Sequence, residues 1–575
     1  MELLKREVSL AVLRVRLTDA PQDPAAGTSK ARRMICCELE VTGKVEDRGL
    51  TRPSVPSPDP SSNRRSSSNR RPQTIESAEI ESAAFSRVLA QWSFAPSELS
   101  LPQEYNAAIK FNDKPSFINS WLGNFTRWAV TTASKYSVLD HNTVDGLERF
   151  AAGVTWLPSG SPTLPQAMVR QLQTLLPGVL RDGDCLWLEI AEPVGYLPLL
   201  PWEEMLRVAT NAPILRLSPH DVKSQSVQRG LTVALCVTAP SEAWTPTSAR
   251  LRSMTQAILD SLPERSTLHI FPDDLCHARF RQAKIPQARP DSQGRSISIH
   301  EPPRDPPAPE KEESGDPWRA WIGTALRGIA VDIFHCIAPA MFFADNVWLA
   351  IARRPSPARP AKRGKKVIKG REMRYVTAAE VSELLTAFGA WGVIFTTPER
   401  GPWSVQARLG LRLLVDRIGR IRPVAAAFHD TALDADHKAI SETYKFLIGD
   451  PSIKASTSAA ISLYCHPSRA LSVASEPASL PPELLTEYNK IKQAMEAMAA
   501  RGEPMPGWMA ATQRVVEQAI SRASVTGAHG TSNEAAVRGV ASALRYVDQM
   551  LTVRSTTQVR TVESPSAQKQ GEAGG

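Results

Sequence analysis

The sequence predicts an α/β protein with a mainly parallel sheet covered by helices on both faces. Two observations carry that prediction. From residue 161 to residue 475, segments of helical length with one apolar side alternate with short runs of branched aliphatic residues. The chain of 575 residues, 42% of them hydrophobic, also has the apolar mass for a large core, with domains of roughly 100 to 200 residues each.

In chain order, residues 8–17 and 34–41 show β-type alternation and are expected to pair as an N-terminal ladder within 1–48. Residues 49–76 turn to Ser, Pro, Asn and Arg, the composition of a disordered insert. Residues 77–160 read as a helical region, in which Trp121, Phe125 and Trp128 share one face and pack into a core. Within 161–475, helices are expected at 164–180, 247–262, 318–328, 377–388, 404–419 and 436–448. Strands are expected at 184–190, 231–237, 267–271, 331–337, 392–397 and 424–428. Thr377 and Glu380 form a capping box, each side chain satisfying a backbone N–H at the start of a helix. A Pro-rich charged linker, 286–317, and a basic loop, 353–374, interrupt the alternation. Residues 476–552 read as C-terminal helices and 553–575 as a disordered tail.

The net charge of +9 is concentrated rather than spread. Arg353, Arg354, Arg359, Lys362, Arg363, Lys365, Lys366, Lys369, Arg371 and Arg374 are ten bases beside one acid, Glu372, and ten minus one equals the whole net charge. Pro355, Pro357 and Pro360 forbid a regular helix there, so a solvated basic loop is expected. No aromatic residue lies between 353 and 373 to stack a base, which leaves nucleic acid a weak candidate partner. Seven cysteines, an odd number without a CxxC pair, give neither a disulfide framework nor zinc-ligand spacing, and a cytoplasmic setting is expected. The longest apolar stretch, 328–344, is broken by Asp332 and His335, so no membrane span is expected. No GxxxxGK[ST] or GxGxxG pattern is present, and no cofactor is expected. Arg408 and Arg412 share a face of the helix at 404–419 while Arg417 and Arg420 turn away, the spread of a solvated helix.

Working residues of open α/β sheets lie beyond the carboxyl ends of strands, which directs attention to the ends of four runs. Residues 199–206 read Leu-Leu-Pro-Trp-Glu-Glu-Met-Leu, with Pro201, Trp202 and Glu203 at the centre, and Ile-Leu-Arg-Leu-Ser-Pro follows at 214–219. Residues 335–342 read His-Cys-Ile-Ala-Pro-Ala-Met-Phe, and 398–401 read Pro-Glu-Arg-Gly. Residues 422–430 end in Phe-His-Asp, and 441–449 complete the set. In order and spacing these segments resemble the CHAT domain, a caspase-related cysteine peptidase fold, over roughly residues 161–475. The resemblance implies a caspase-like sheet, with Leu-Pro-Trp-Glu at 200–203, a His-bearing strand at 335–342 and a Cys-Glu-x-Gly turn at 398–401.

The departures fall on the catalytic positions. The family's base histidine aligns with Pro339 and its nucleophilic cysteine with Pro398. Proline supplies no nucleophile, no titratable proton and no N–H for an oxyanion, so the resemblance implies a pseudopeptidase in which His335, Glu399 and Gly401 are remnants of the motif. Such a protein is expected to act as a binding or scaffold module for protein partners in a signalling or defence assembly, with a peptide segment in the former substrate cleft. The alternative is an active cysteine peptidase with a displaced dyad, Cys336 and His429, oriented by Asp430. His335 and Cys336, adjacent on a strand, point to opposite faces and are excluded as partners of each other.

Overall fold

A computed structural model describes residues 9–19, 33–44, 84–101 and 138–139, most of 162–303 and 316–355, residues 373–398, most of 404–467, and scattered positions between 489 and 513. The aromatic stripe at 121–128, the insert at 49–76, most of the basic loop and the tail lie outside the described residues.

Twelve strands form one sheet. They are β1 (Ser9–Asp19), β2 (Arg33–Lys44), β3 (Ala84–Phe94), β5 (Leu186–Ile190), β6 (Ile214–Leu217), β7 (Thr232–Val237), β8 (Thr267–Pro272), β9 (Ser296–Ile299), β10 (Ile333–Ile337), β14 (Gly392–Thr396), β15 (Ala425–His429) and β16 (Ile461–Cys465). Their order is β3-β2-β1-β5-β6-β16-β15-β14-β10-β7-β8-β9. The run from β15 to β9 is parallel, and so is the run from β1 to β16. The two blocks meet at β15 and β16, which are antiparallel. A second sheet of four strands, β11 (Ala340–Phe343), β12 (Asn346–Ala352), β13 (Met373–Thr377) and β4 (Val138–Leu139), lies beside it in the order β11-β12-β13-β4.

The expected strand pair at the N-terminus forms, but it is not a separate unit. β1 also pairs in parallel with β5, so the ladder extends the main sheet. Two expectations are corrected. Residues 84–94, read as helical, are the edge strand β3, because period-2 residues from Ser86 to Phe94 find a partner in β2 that local pattern cannot reveal. Ser296–Ile299, inside the expected linker, adds to β8 as the opposite edge.

Helices cover both faces. Beneath one face lie α3 (Ser248–Asp260), α4 (Asp274–Ala283) and α8 (Lys438–Ile448). The other face carries α1 (Gln166–Val179), α2 (Trp202–Leu206), α5 (Pro317–Ala325), α6 (Ala378–Phe388) and α7 (Ser404–Ile421). The Thr377–Glu380 capping box starts α6 as expected, and Gly389, at φ 69°, ends it in the left-handed conformation that glycine adopts without strain.

α7 differs from its expected solvated state. It is packed against β15 and β16 on one side and β11 and β12 on the other, so a helix with four arginines runs between two sheets. Arg412 and Asp416 are buried. The close approach depends on Gly410, where an added Cβ would stand 2.9 Å from the carbonyl carbon and oxygen of Ala340. Gly323, in α5, has open space around it. The same change therefore takes opposite signs: Gly323→Ala is expected to raise stability by ~0.5–1 kcal/mol through backbone entropy, and Gly410→Ala to lower it by ~1–3 kcal/mol through overpacking. Urea denaturation midpoints of the two variants measure this, and a stabilised Gly410→Ala protein would refute the close packing.

Candidate functional site at the strand ends

β10 and β14 are neighbours, parallel and in register, with Ile337 opposite Thr396. Pro339 and Pro398 each lie two residues beyond these strands, both buried. The carbonyl of Pro339 accepts a hydrogen bond from the Ala350 N–H at 2.8 Å, which ties the end of β10 to β12. Glu399 and Gly401 lie outside the described residues.

The displaced dyad does not assemble. Ile337, Thr396 and His429 are in-register neighbours across three strands, so their side chains share one face of the sheet. Cys336 precedes Ile337 and faces the other side, among Phe395 and Phe428. Burial pushes its thiol up to about 12, so it is protonated at neutral pH and is no nucleophile. Asp430 does not orient His429. Its carboxylate pairs with Arg408 Nε at 2.7 Å and caps the Thr431–Leu433 turn through the Ala432 N–H.

His429 belongs instead to a buried chain of side chains that local motifs did not reveal. Its Nε2 is 3.0 Å from Asp434 Oδ2 and its Nδ1 is 3.1 Å from Thr396 Oγ1. Thr396 Oγ1 is also 2.6 Å from His335 Nε2, and His335 Nδ1 is 3.0 Å from the Tyr444 hydroxyl of α8. The Asp434 carboxylate only accepts, so His429 donates to it through Nε2–H.

Burial, together with the neighbouring His429, holds His335 well below its ordinary 6.5. Burial alone would raise Asp434, but hydrogen bonds from His429 and from the N–H groups of Ala439 and Ile440 outweigh it and bring the carboxyl to about 2. Each ring nitrogen already stands at hydrogen-bond distance from a buried partner, so neither imidazole is open to a substrate. The chain anchors α8 and the 430–437 turn to the sheet. Tyr444, Thr396 and Asp434 are brought to the two histidines only by strand register and by the return of α8.

Pro201, Trp202 and Glu203 are buried and structural. Trp202 Nε1 donates to the Leu197 carbonyl at 2.8 Å. Glu203 takes a two-point ion pair from Arg216 on β6, at 2.6 and 3.0 Å, joining the Leu-Pro-Trp-Glu stretch to the segment after it. Arg216 Nη1 also donates to the Tyr464 hydroxyl at 3.0 Å, and Tyr464 donates to Asp416 of α7. Burial opposes ionisation of Glu203, yet the Arg216 charge and its hydrogen bonds hold the carboxyl below the usual range.

In the basic loop, Arg353 and Arg354 are half-buried at its start, whereas Lys362, Arg363, Lys365, Lys366, Lys369 and Arg371 lie outside the described residues. Arg374, counted with them from sequence, is a structural residue on β13, paired with Asp316 at 2.9 Å and Glu380 at 3.1 Å. Among the described residues no group of three or more His, Cys, Asp and Glu side chains is placed to hold a metal ion. No helix among them is long and apolar enough to cross a membrane. Compared with protein-family models, with curated proteins and with solved structures, the chain finds no match.

Proposed function

We propose that the chain is a catalytically impaired CHAT-like protein, a pseudopeptidase that works as a protein-binding module within a larger signalling or defence assembly. One observation carries the reading: Pro339 and Pro398, at the two dyad positions of the resemblance, stand at equivalent places beyond adjacent, in-register strands. A base and a nucleophile would need such a placement to meet, and prolines can serve as neither. The ion pair between Glu203 and Arg216 adds support, because it links two successive segments of the same resemblance. A peptide segment held in the former cleft needs only backbone hydrogen bonds at a strand edge, which are independent of a dyad. The geometry offers nothing for a peptidase built on Cys336 and His429.

The full chain at pH 7.5 is expected to cleave no member of a fluorogenic peptide mixture. Iodoacetamide should leave Cys336 unlabelled until the protein is unfolded, as peptide mass mapping would show. A partner that copurifies from native cells and is reconstituted pairwise should bind equally well to the alkylated chain. Cleavage that disappears in Cys336→Ala would overturn the reading in favour of an enzyme.

A further inference from the structure

Met505, Met509 and Ala510 form, with Ala330, a hydrophobic cluster that shares no residue with the two clusters on the faces of the main sheet, and Met498 packs against it partly buried. The corner it grips, 328–330, joins α5 to β10. The sequence concentrates one residue type at this contact. Met495, Met498, Met505 and Met509 are four of the chain's twelve methionines, so sulfur rather than branched carbon is placed to fill it.

The two backbones approach closely. The Ala330 N–H donates to the Met505 carbonyl at 2.8 Å, the Gly507 N–H donates to the Gly328 carbonyl at 2.6 Å, and Ile329 pairs antiparallel with Pro506. Gly328, at φ 75°, takes the left-handed conformation, and a Cβ added to Gly507 would stand 3.1 Å from the Gly328 oxygen. Two backbone hydrogen bonds and a small satellite cluster, apart from both main cores, make a contact that can open while the sheet stays closed. Met505 and Met509, each 3% exposed, are the largest buried members of that cluster, the others being alanines.

A thioether packs like a hydrocarbon until an oxidant converts it to a sulfoxide. The polar S–O group then needs a hydrogen bond that the side chains of Ala330 and Ala510 cannot give. Met168, Met205 and Met254 are buried too, but inside the two main clusters, where opening would break the cores of the sheet itself.

We propose that this contact is an oxidation-sensitive latch: hydrogen peroxide converts Met505 and Met509 to sulfoxides, and segment 505–510 is released from the corner at 328–330. In each oxidation a sulfur lone pair attacks one peroxide oxygen, the O–O bond breaks as the S–O bond forms, and proton transfer lets the other oxygen leave as water. The sulfur loses two electrons and the peroxide gains them. Oxidation occurs while the latch is open, and the sulfoxide then opposes its closing.

Hydrogen exchange of the full chain, read by mass spectrometry before and after limited peroxide treatment, tests the latch, with peptide mapping to locate sulfoxides. Sulfoxide is expected at Met505 and Met509 while Met168, Met205 and Met254 stay reduced. Exchange in peptides covering 328–330 and 505–510 should then quicken by roughly 10- to 100-fold, the equivalent of one buried polar group left without a partner. Exchange in β10 and β14 should not change. The double variant Met505→Leu, Met509→Leu keeps the apolar volume without the sulfur and should hold its protection through the same treatment. Reduction of the oxidised wild type by methionine sulfoxide reductases should restore its slow exchange. Unchanged protection of 328–330 and 505–510 once both sulfoxides have formed overturns the proposal, as does loss of protection in β10 together with the segment. Resistance of both sulfurs to peroxide in the folded chain, equal loss of protection in the double variant, or failure of the reductases to restore it would each do the same.

Discussion

Arg216→Met is expected to destabilise the full-length chain by about 3–5 kcal/mol, because it takes from the buried Glu203 carboxylate the guanidinium that bonds it at two points, leaving the charge of buried Arg412 acting on it without that bond. Both side chains are essentially inaccessible, at 0% and 4% exposure, so water cannot replace the lost partner. The damage extends further, since Arg216 also donates to Tyr464, which donates to Asp416. Asp416 would keep Arg420, at 2.8 Å, as a partner on its own helix. The double variant Glu203→Gln, Arg216→Met removes both charges and should recover most of the loss, since a buried charge without its hydrogen-bonded partner is the main cost. Urea denaturation followed by tryptophan fluorescence on the two proteins measures this. A loss under about 1 kcal/mol in the single variant, or no recovery in the double one, would show that the pair is not the tie between α2, β6 and α7 described above.

Acid should weaken the protein in two separate windows. His335 is neutral in the fold and held well below the 6.5 of an exposed imidazole, so the unfolded chain binds a proton that the folded chain refuses. Stability is therefore highest above pH 6.5 and falls as pH drops below it, by about 1.4 kcal/mol per pH unit for each such histidine. His269, His277, His300 and His437 are also lowered, mainly by burial, so the wild-type slope is a sum. His335→Gln should be less stable at neutral pH, where Thr396 and Tyr444 lose good partners, yet its slope between pH 7 and 5 should be shallower by one histidine. Asp434 acts with the opposite sign of shift. Its folded value of about 2 lies under the ordinary 3.8, so its contribution is present above pH 3.8 and is lost as pH falls through about 2. Equal slopes for wild type and His335→Gln would mean that the ring is protonated in the fold.

Much of the secondary structure was legible locally. Apolar runs such as 392–396 and 425–429 are buried on both faces and need no partner to be recognised as strands, and the Thr377 cap announces its helix from four residues. β3 and β9 were missed because an edge strand, buried on one side at most, has a weak pattern and exists only through the strand it joins. The candidate site was legible in its negative half, because a proline at 339 or at 398 can serve as neither base nor nucleophile at that position in any fold. Its positive half was not legible. Whether Cys336 can reach His429 depends on which face each occupies, and that is set by the registers of β10 with β14 and of β14 with β15.

The sequence by itself determined the α/β alternation, the helix caps and the prolines at 339 and 398, since each depends on chemistry within a few residues. The tertiary structure alone decided that the arginine-bearing α7 runs between two sheets and that Glu203 meets Arg216. It also decided that His429 spends its two nitrogens on Thr396 and Asp434. The physical reason is that a charge or an imidazole is tolerated inside only when partners converge on it. Those partners come from strands and helices far apart in the chain, whose register no local pattern specifies.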